Sequence, residues 1–170
     1  MSKGVSTSRS RPPVRSIRTA AFAGRLGLEI ELKGPEPEAV AAVAPLLEAV
    51  RPHWERIEVT SYETLLLAEL RTRYSDLSTA LLFPRSEPWM KLDFVAYAAR
   101  HRARQARAAA VHLHPSQLTQ EVVNLIRAAG IDVHAWDVND AGAYEFATQL
   151  NLPWVNTDQL ESALGWRADK

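Results

Sequence analysis

Leu28-Glu29-Ile30-Glu31-Leu32-Lys33 decides how this chain is read. Successive side chains of an extended strand point to opposite faces. Leu28, Ile30 and Leu32 therefore share one face, while Glu29, Glu31 and Lys33 share the other. A second stretch repeats the pattern, with Ile131, Val133 and Ala135 on one side and Asp132, His134 and Trp136 on the other. Shorter alternations set Ile57 and Val59 against Glu58 and Thr60, and Val111 and Leu113 against His112 and His114.

Working outward from these stretches, short aliphatic runs alternate with helical patterns, the layout of repeated βα units on a parallel sheet. Six strands are expected, at Leu26–Lys33, Arg56–Thr60, Thr79–Phe83, Ala109–His112, Ile131–Trp136 and Trp154–Asn156. The helices between and after them are expected at Pro37–Ala49, Glu63–Arg73, Trp89–Arg102, Gln117–Ala129, Ala141–Gln149 and Gln159–Leu164. Ser61, Ser116, Asn139 and Asp158 stand where N-caps belong, and Gly130 follows the fourth helix as a terminating glycine. His53, beside Pro52, reads as a loop or helix-end residue.

An open doubly wound sheet carries helices on both faces and needs both faces apolar. A (β/α)8 barrel carries helices outside only, so its inner face near the carboxyl ends of the strands can hold polar residues. The one-sided polarity of these strands favours the barrel, and six units make it an incomplete one, lacking two. A mixed sheet with one solvated face is the competing arrangement.

The chain has 170 residues, of which 46% are hydrophobic and 24% charged, enough for one globular core. Its 20 basic and 20 acidic residues cancel, but Lys3, Arg9, Arg11, Arg15, Arg18 and Arg25 all precede the first acidic residue. Residues 1–22 thus read as a basic, disordered leader, and residues 23–170 as the folded domain. The leader's charge could meet nucleic acid or anionic lipid, but a solvated tail is the expectation and no nucleic-acid partner is inferred. No run reaches the length of a transmembrane helix or a secretory signal. Cysteine is absent, which excludes disulfides and thiolate chemistry and points to the cytoplasm.

Two carboxylates and an ammonium on one strand face, as at Glu29, Glu31 and Lys33, could hold a divalent cation beside a phosphate. The bare pattern also occurs on solvated faces. His112 and His114, two residues apart, could project together onto a metal, although a hydrogen-bonded core role is the expectation for an isolated pair.

Residues Leu28 to Lys33 resemble the strand of glycerophosphodiester phosphodiesterases that ends Glu-Ile-Lys, here Glu31-Leu32-Lys33. Val59-Thr60-Ser61-Tyr62 resembles that family's Ser-Phe strand end, and Ala80-Leu81-Leu82 its next strand. His114-Pro115 with Leu118-Thr119 resembles the segment before the penultimate helix. Ala129 to Asp140 is similar to that family's Gly, two residues, then Trp-Thr-Val-Asn, and Asn156-Thr157-Asp158 to the final Thr-Asp. The resemblance runs from Leu26 to Leu164.

It implies an N-terminally truncated phospholipase C-like phosphodiesterase barrel. It further implies hydrolysis of glycerophosphodiesters to glycerol phosphate and an alcohol, a reaction of lipid metabolism. Carried over by position, Glu31 is a metal ligand, Lys33 a phosphate contact and Trp136 part of the glycerol side of the pocket. Glu29 matches no family ligand and is expected deeper in the barrel or paired with a base. The implied cofactor is a divalent metal, magnesium or calcium, bound once the site is completed.

The chain departs from the family pattern with Tyr62 for Phe, Asp137 for Thr, Leu152-Pro153-Trp154 before the last strand, and Gln159-Leu160 where a proline is expected. The family's His-Arg-Gly strand, Glu-x-Asp strand and second histidine have no counterpart, since His101-Arg102-Ala103 lies in a helical run and lacks the glycine. General acid–base catalysis contributes about 10²–10⁴-fold, so the expectation is a chain inactive alone, with no catalytic residue of its own. A truncated or shifted reading frame is the expected origin. Open barrel edges would favour self-association. A non-catalytic fragment that binds phosphate esters or acts as an assembly partner is the alternative.

Overall fold

The alternation of branched aliphatic and polar residues translates into five short strands in a computed structural model, which describes residues 25–168. They are β1 (Leu28–Glu31), β2 (Ile57–Ser61), β3 (Ser78–Leu82), β4 (Ala110–Leu113) and β5 (Asp132–Ala135). All four ladders are parallel, and the strands lie side by side in chain order. The expected sixth strand contracts to one bridge, Ala135 with Val155. Its backbone still pairs on both sides of Ala135, whose N–H donates to Trp154 and whose carbonyl accepts from Asn156.

Among the described residues six helices follow the strands: α1 (Glu38–Ala49), α2 (Thr64–Arg73), α3 (Leu92–Ala106), α4 (Gln120–Arg127), α5 (Ala141–Gln149) and α6 (Leu160–Ala168). Several boundaries differ from expectation: the last helix runs on to Ala168, and tertiary contacts reset the third and fourth. Helix α3 starts past Trp89 and continues to Ala106, because Ala99, Ala103 and Ala106 are wholly buried along one face. It stops where Arg107 turns left-handed at φ 54°. The fourth helix is divided: Pro115–Gln117 forms a 3-10 turn, in which the buried Gln117 side chain accepts from His114 N–H and donates to the Pro84 carbonyl. The chain then restarts at Thr119, whose hydroxyl accepts from Val122 N–H.

Cap assignments change accordingly. Thr119 and Asp140 cap α4 and α5 in place of Ser116 and Asn139, and Ser61 accepts from Glu63 N–H ahead of α2. Asn139 instead accepts from Asp158 N–H and the Thr157 hydroxyl, tying two rim loops together. Gly130 takes φ 73°, the left-handed conformation expected of it. His53 lies in a second 3-10 segment, Arg51–Arg56.

The apolar faces meet the helices in two clusters. Ile57 and Val59 of β2, with Leu32, pack against Val40, Leu47, Leu66 and Leu70. Leu81, Val111, Leu113, Val133 and Ala135 pack against α3 and α4 through Val95, Ala99, Val122 and Ile126. A wholly buried leucine contributes about 1.5–3 kcal/mol, so these clusters hold the helices to one side of the sheet.

Register shows what lies on the other side. Glu29 faces Glu58, Glu31 faces Thr60, and His112 faces His134 in adjacent strands. A parallel sheet in chain order, with helices outside and polar residues inside, is a (β/α)8 barrel in part; a doubly wound sheet would reverse its order at a switch point. The described residues supply six strand positions. The parallel ladders rule out the mixed sheet.

The curvature is enough for β1 to approach the last strand. Glu29 accepts from the Thr60 hydroxyl at 3.0 Å and from the Asn156 amide at 2.5 Å. Residues 1–22, expected to be a basic leader, lie outside the described residues.

Candidate active site

Side chains that end the inner face of each strand converge at the carboxyl rim. There a pocket of about 320 Å³ is lined by Glu29 and Glu31 of β1, Tyr62 after β2, Trp136 and Asp137 after β5, and Asn156 to Asp158 of the last strand. The rim of a (β/α)8 barrel is where its loops can vary without disturbing the core.

Glu31 reaches the pocket because it is the last, exposed residue of β1. Lys33 follows one alternation later, 80% exposed, with Nζ 2.6 Å from Glu31 Oε1. A pair this open contributes less than about 1 kcal/mol, so the ammonium can leave Glu31 for another anion at little cost. Trp136 sets its ring edgewise to His114, centroids 5.3 Å apart. Its indole N–H is buried with no hydrogen-bond partner among the described residues, a donor available to a ligand. Asp137, at φ 57°, turns the chain directly afterwards. The structure thus brings Glu31 and Trp136 into one pocket lining, while Lys33 lies outside that lining and is joined to it through Glu31. Glu29 lies on the same inner face but is engaged by Thr60 and Asn156.

The electrostatics are acidic. Burial raises the Tyr62 phenol pKa, and Glu31 and Asp137 raise it further against the opposing pull of Lys33. At His114, burial and then Arg85 depress the imidazole pKa, with Asp137 opposing them. His114 Nδ1 accepts from Ser116 N–H at 3.2 Å, which leaves Nε2 to carry the proton of the neutral ring.

Behind the rim lies a group that the sequence did not assemble. Glu58 of β2, His112 of β4 and His134 of β5 meet inside the sheet, 5%, 0% and 6% exposed. Glu58 Oε2 is 2.9 Å from His112 Nε2 and 3.4 Å from His134 Nδ1, and the two nitrogens are 3.0 Å apart. Glu58 can reach across β3 because Ser78 and Ala80, the inward residues there below Leu82, are small. Burial alone would raise the Glu58 pKa, but hydrogen bonds from His112 and His134 and their charge outweigh it and lower it to about 2. His112 therefore partners His134 on the neighbouring strand and not His114, which sits at the rim. The i, i+2 spacing was the wrong cue, because the register that aligns His112 with His134 is not written in either strand alone.

The resident metal implied by the resemblance can be tested against these donors. Glu29, Glu31, Asp137, Asp158 and the buried, unpartnered Asn156 Oδ1 are oxygen donors of the kind hard cations take. Among the described residues, however, the one group of three acidic or histidine side chains close enough to share an ion is Glu58, His112 and His134. The rim supplies suitable chemistry in an incomplete set.

Solved structures with the same arrangement define the class first. The chain superimposes on a deoxyribose phosphate aldolase from Aeropyrum pernix with a TM-score of 0.62 at 14% identity, over 86% of this chain and 71% of that one. It matches a phosphodiesterase from Oleispira antarctica, solved with the product sn-glycerol-3-phosphate, with a TM-score of 0.65 at 21% identity, over 84% and 55%. A glycerophosphodiester phosphodiesterase from Agrobacterium tumefaciens C58 gives 0.63 at 18% identity, over 85% and 57%. At such identities these likenesses show the barrel fold. This chain spans little more than half the length of the two phosphodiesterases.

The family follows from the sequence profile. Residues 28–162 match the glycerophosphoryl diester phosphodiesterase family, and the chain belongs to it. No curated protein matches the chain.

Proposed function

We propose that this chain carries part of the site of a metal-dependent glycerophosphodiester hydrolase. Glu31 is a ligand of a magnesium or calcium ion, Lys33 contacts the phosphate and Trp136 lines the glycerol side. The observation that supports this is the meeting of Glu31 and Trp136 in one acidic pocket, with the loosely held Lys33 ammonium beside Glu31 and an indole N–H that has no partner among the described residues. The substrate is a glycerophosphodiester or related phosphate ester, released as glycerol phosphate and an alcohol in lipid metabolism. No described helix is long and apolar enough to cross a membrane; we place the reaction in the cytoplasm, in a domain of residues 23–170.

The chain alone hydrolyses its substrate at background rate, because the described rim has one family-type ligand and no converging set of three. That incompleteness also favours the second reading, a non-catalytic fragment that binds phosphate esters or joins another chain at its open edges. Purified full chain is assayed with glycerophosphocholine and Mg²⁺ or Ca²⁺, following glycerol phosphate release. Binding of sn-glycerol 3-phosphate is followed in parallel by fluorescence, against Trp136→Phe and Lys33→Ala. Turnover like that of a full-length family enzyme overturns the inactivity. Binding that both substitutions leave unchanged overturns the site.

A further inference from the structure

Glu58, His112 and His134 play no part in the rim chemistry, yet they bring three potential ligand atoms to one point in the interior. We propose that they bind one first-row transition-metal ion of the zinc or cobalt(II) kind, through a carboxylate oxygen and two imidazole nitrogens. This goes beyond the hydrolase reading and uses none of its residues.

The geometry argues for an ion at the centre. The atoms form a closed triangle with sides of 2.9, 3.0 and 3.4 Å. Each proton on an imidazole nitrogen lies along one side of such a triangle, so linear hydrogen bonds serve its sides one at a time. A metal serves all three corners together. Bonds of about 2.0–2.1 Å in tetrahedral geometry place ligand atoms about 3.3 Å apart, with the ion about 0.7 Å out of their plane. The present sides fall within about 0.5 Å of that spacing, which small side-chain rotations supply. The ring of His112 is oriented from its Nε2 end, since its Nδ1 has no hydrogen-bond partner among the described residues.

Ligand chemistry separates this site from the rim. Two imidazoles and one carboxylate suit zinc, cobalt or iron(II), whereas magnesium and calcium favour all-oxygen sets. A buried carboxylate also requires a compensating positive charge, which a metal ion at the centre of the group supplies. The ligands come from β2, β4 and β5, so the ion would clasp three strands of a sheet that is open at its edges.

The test uses the untagged full chain, stripped with chelator and titrated with Co²⁺. One equivalent should produce the intense visible bands of a four- or five-coordinate ion; Zn²⁺ should abolish them, and a large excess of Mg²⁺ should not. His134→Gln and Glu58→Gln should each weaken Co²⁺ binding at least tenfold. Zn²⁺ held at 100 times its Kd should shift the folding equilibrium of the unsubstituted chain about 100-fold toward the native state. That last measurement decides the matter if both variants fail to fold. Absence of visible bands, bands that survive both substitutions, or a melting midpoint that Zn²⁺ leaves unmoved would each overturn the proposal.

Discussion

Glu29 offers a direct test of how far the open sheet curls. Its carboxylate joins Thr60 in the neighbouring strand to Asn156, 127 residues away in sequence. Replacing Glu29 by Ala removes both bonds and leaves the wholly buried Thr60 hydroxyl without its acceptor. Hydrogen bonds to a charged group contribute about 1.5–3 kcal/mol each, and Glu29 is half-buried, so the expected loss is about 2–3 kcal/mol. Asn156→Ala removes one of the two bonds and should lose about 1–2 kcal/mol.

The informative quantity is the coupling between them, measured by urea unfolding of the two single variants and the double variant. If β1 and the last strand meet as described, the double variant loses about 1–2 kcal/mol less than the two single losses combined. Additivity within about 0.3 kcal/mol would refute the contact, and with it the curvature that brings the two strands together. The direction of the amide supports the expectation. Turned the other way, Asn156 would set its carbonyl oxygen against the carboxylate, so Nδ2 must donate.

Other outcomes can be checked alongside. Leu70→Ala, at a wholly buried position on α2, should cost about 2–5 kcal/mol in the same urea assay. Arg107→Gly should stabilise by about 1 kcal/mol, because Arg107 is exposed and left-handed at φ 54°. In metal-free protein the Glu58 carboxyl, lowered from 4.5 to about 2 in the folded state, contributes stability that is fully present above pH 4.5 and lost as pH falls toward 2. The loss is about 3 kcal/mol, read from urea midpoints across that range and absent from Glu58→Gln.

Much of the fold was legible because barrel strands carry their two faces in one short word. Leu28 to Lys33 gave both the helix-facing side and the rim residues from a period of two, and His53 and Gly130 lie where their neighbours in sequence require. Elements whose limits depend on tertiary packing were less legible. Helix α3 is extended to Ala106 by alanines whose burial no local pattern announces, and Gln117 interrupts the fourth helix by bonding Pro84, 33 residues earlier. Glu31, Lys33 and Trp136 could be singled out because they resemble family motifs. The group of Glu58, His112 and His134 could not, since it depends on the register of separate strands and on the smallness of Ser78 and Ala80 between them.

The chain-order arrangement of the strands has a consequence for how the molecule folds. Register partners in adjacent strands are about 20 to 30 residues apart, so the sheet can grow from any βα unit by adding the next. The link from Glu29 to Asn156 spans 127 residues. If formed before the intervening strands, it would cost about 1.4 kcal/mol more loop entropy than a closure of about 25 residues, while organising nothing between its ends. Growth of the sheet carries those ends together, so this link belongs on the native side of the folding barrier. Breaking it should leave the folding rate nearly unchanged and appear as faster unfolding, making the seam between the first and last strands the place where the molecule first comes apart.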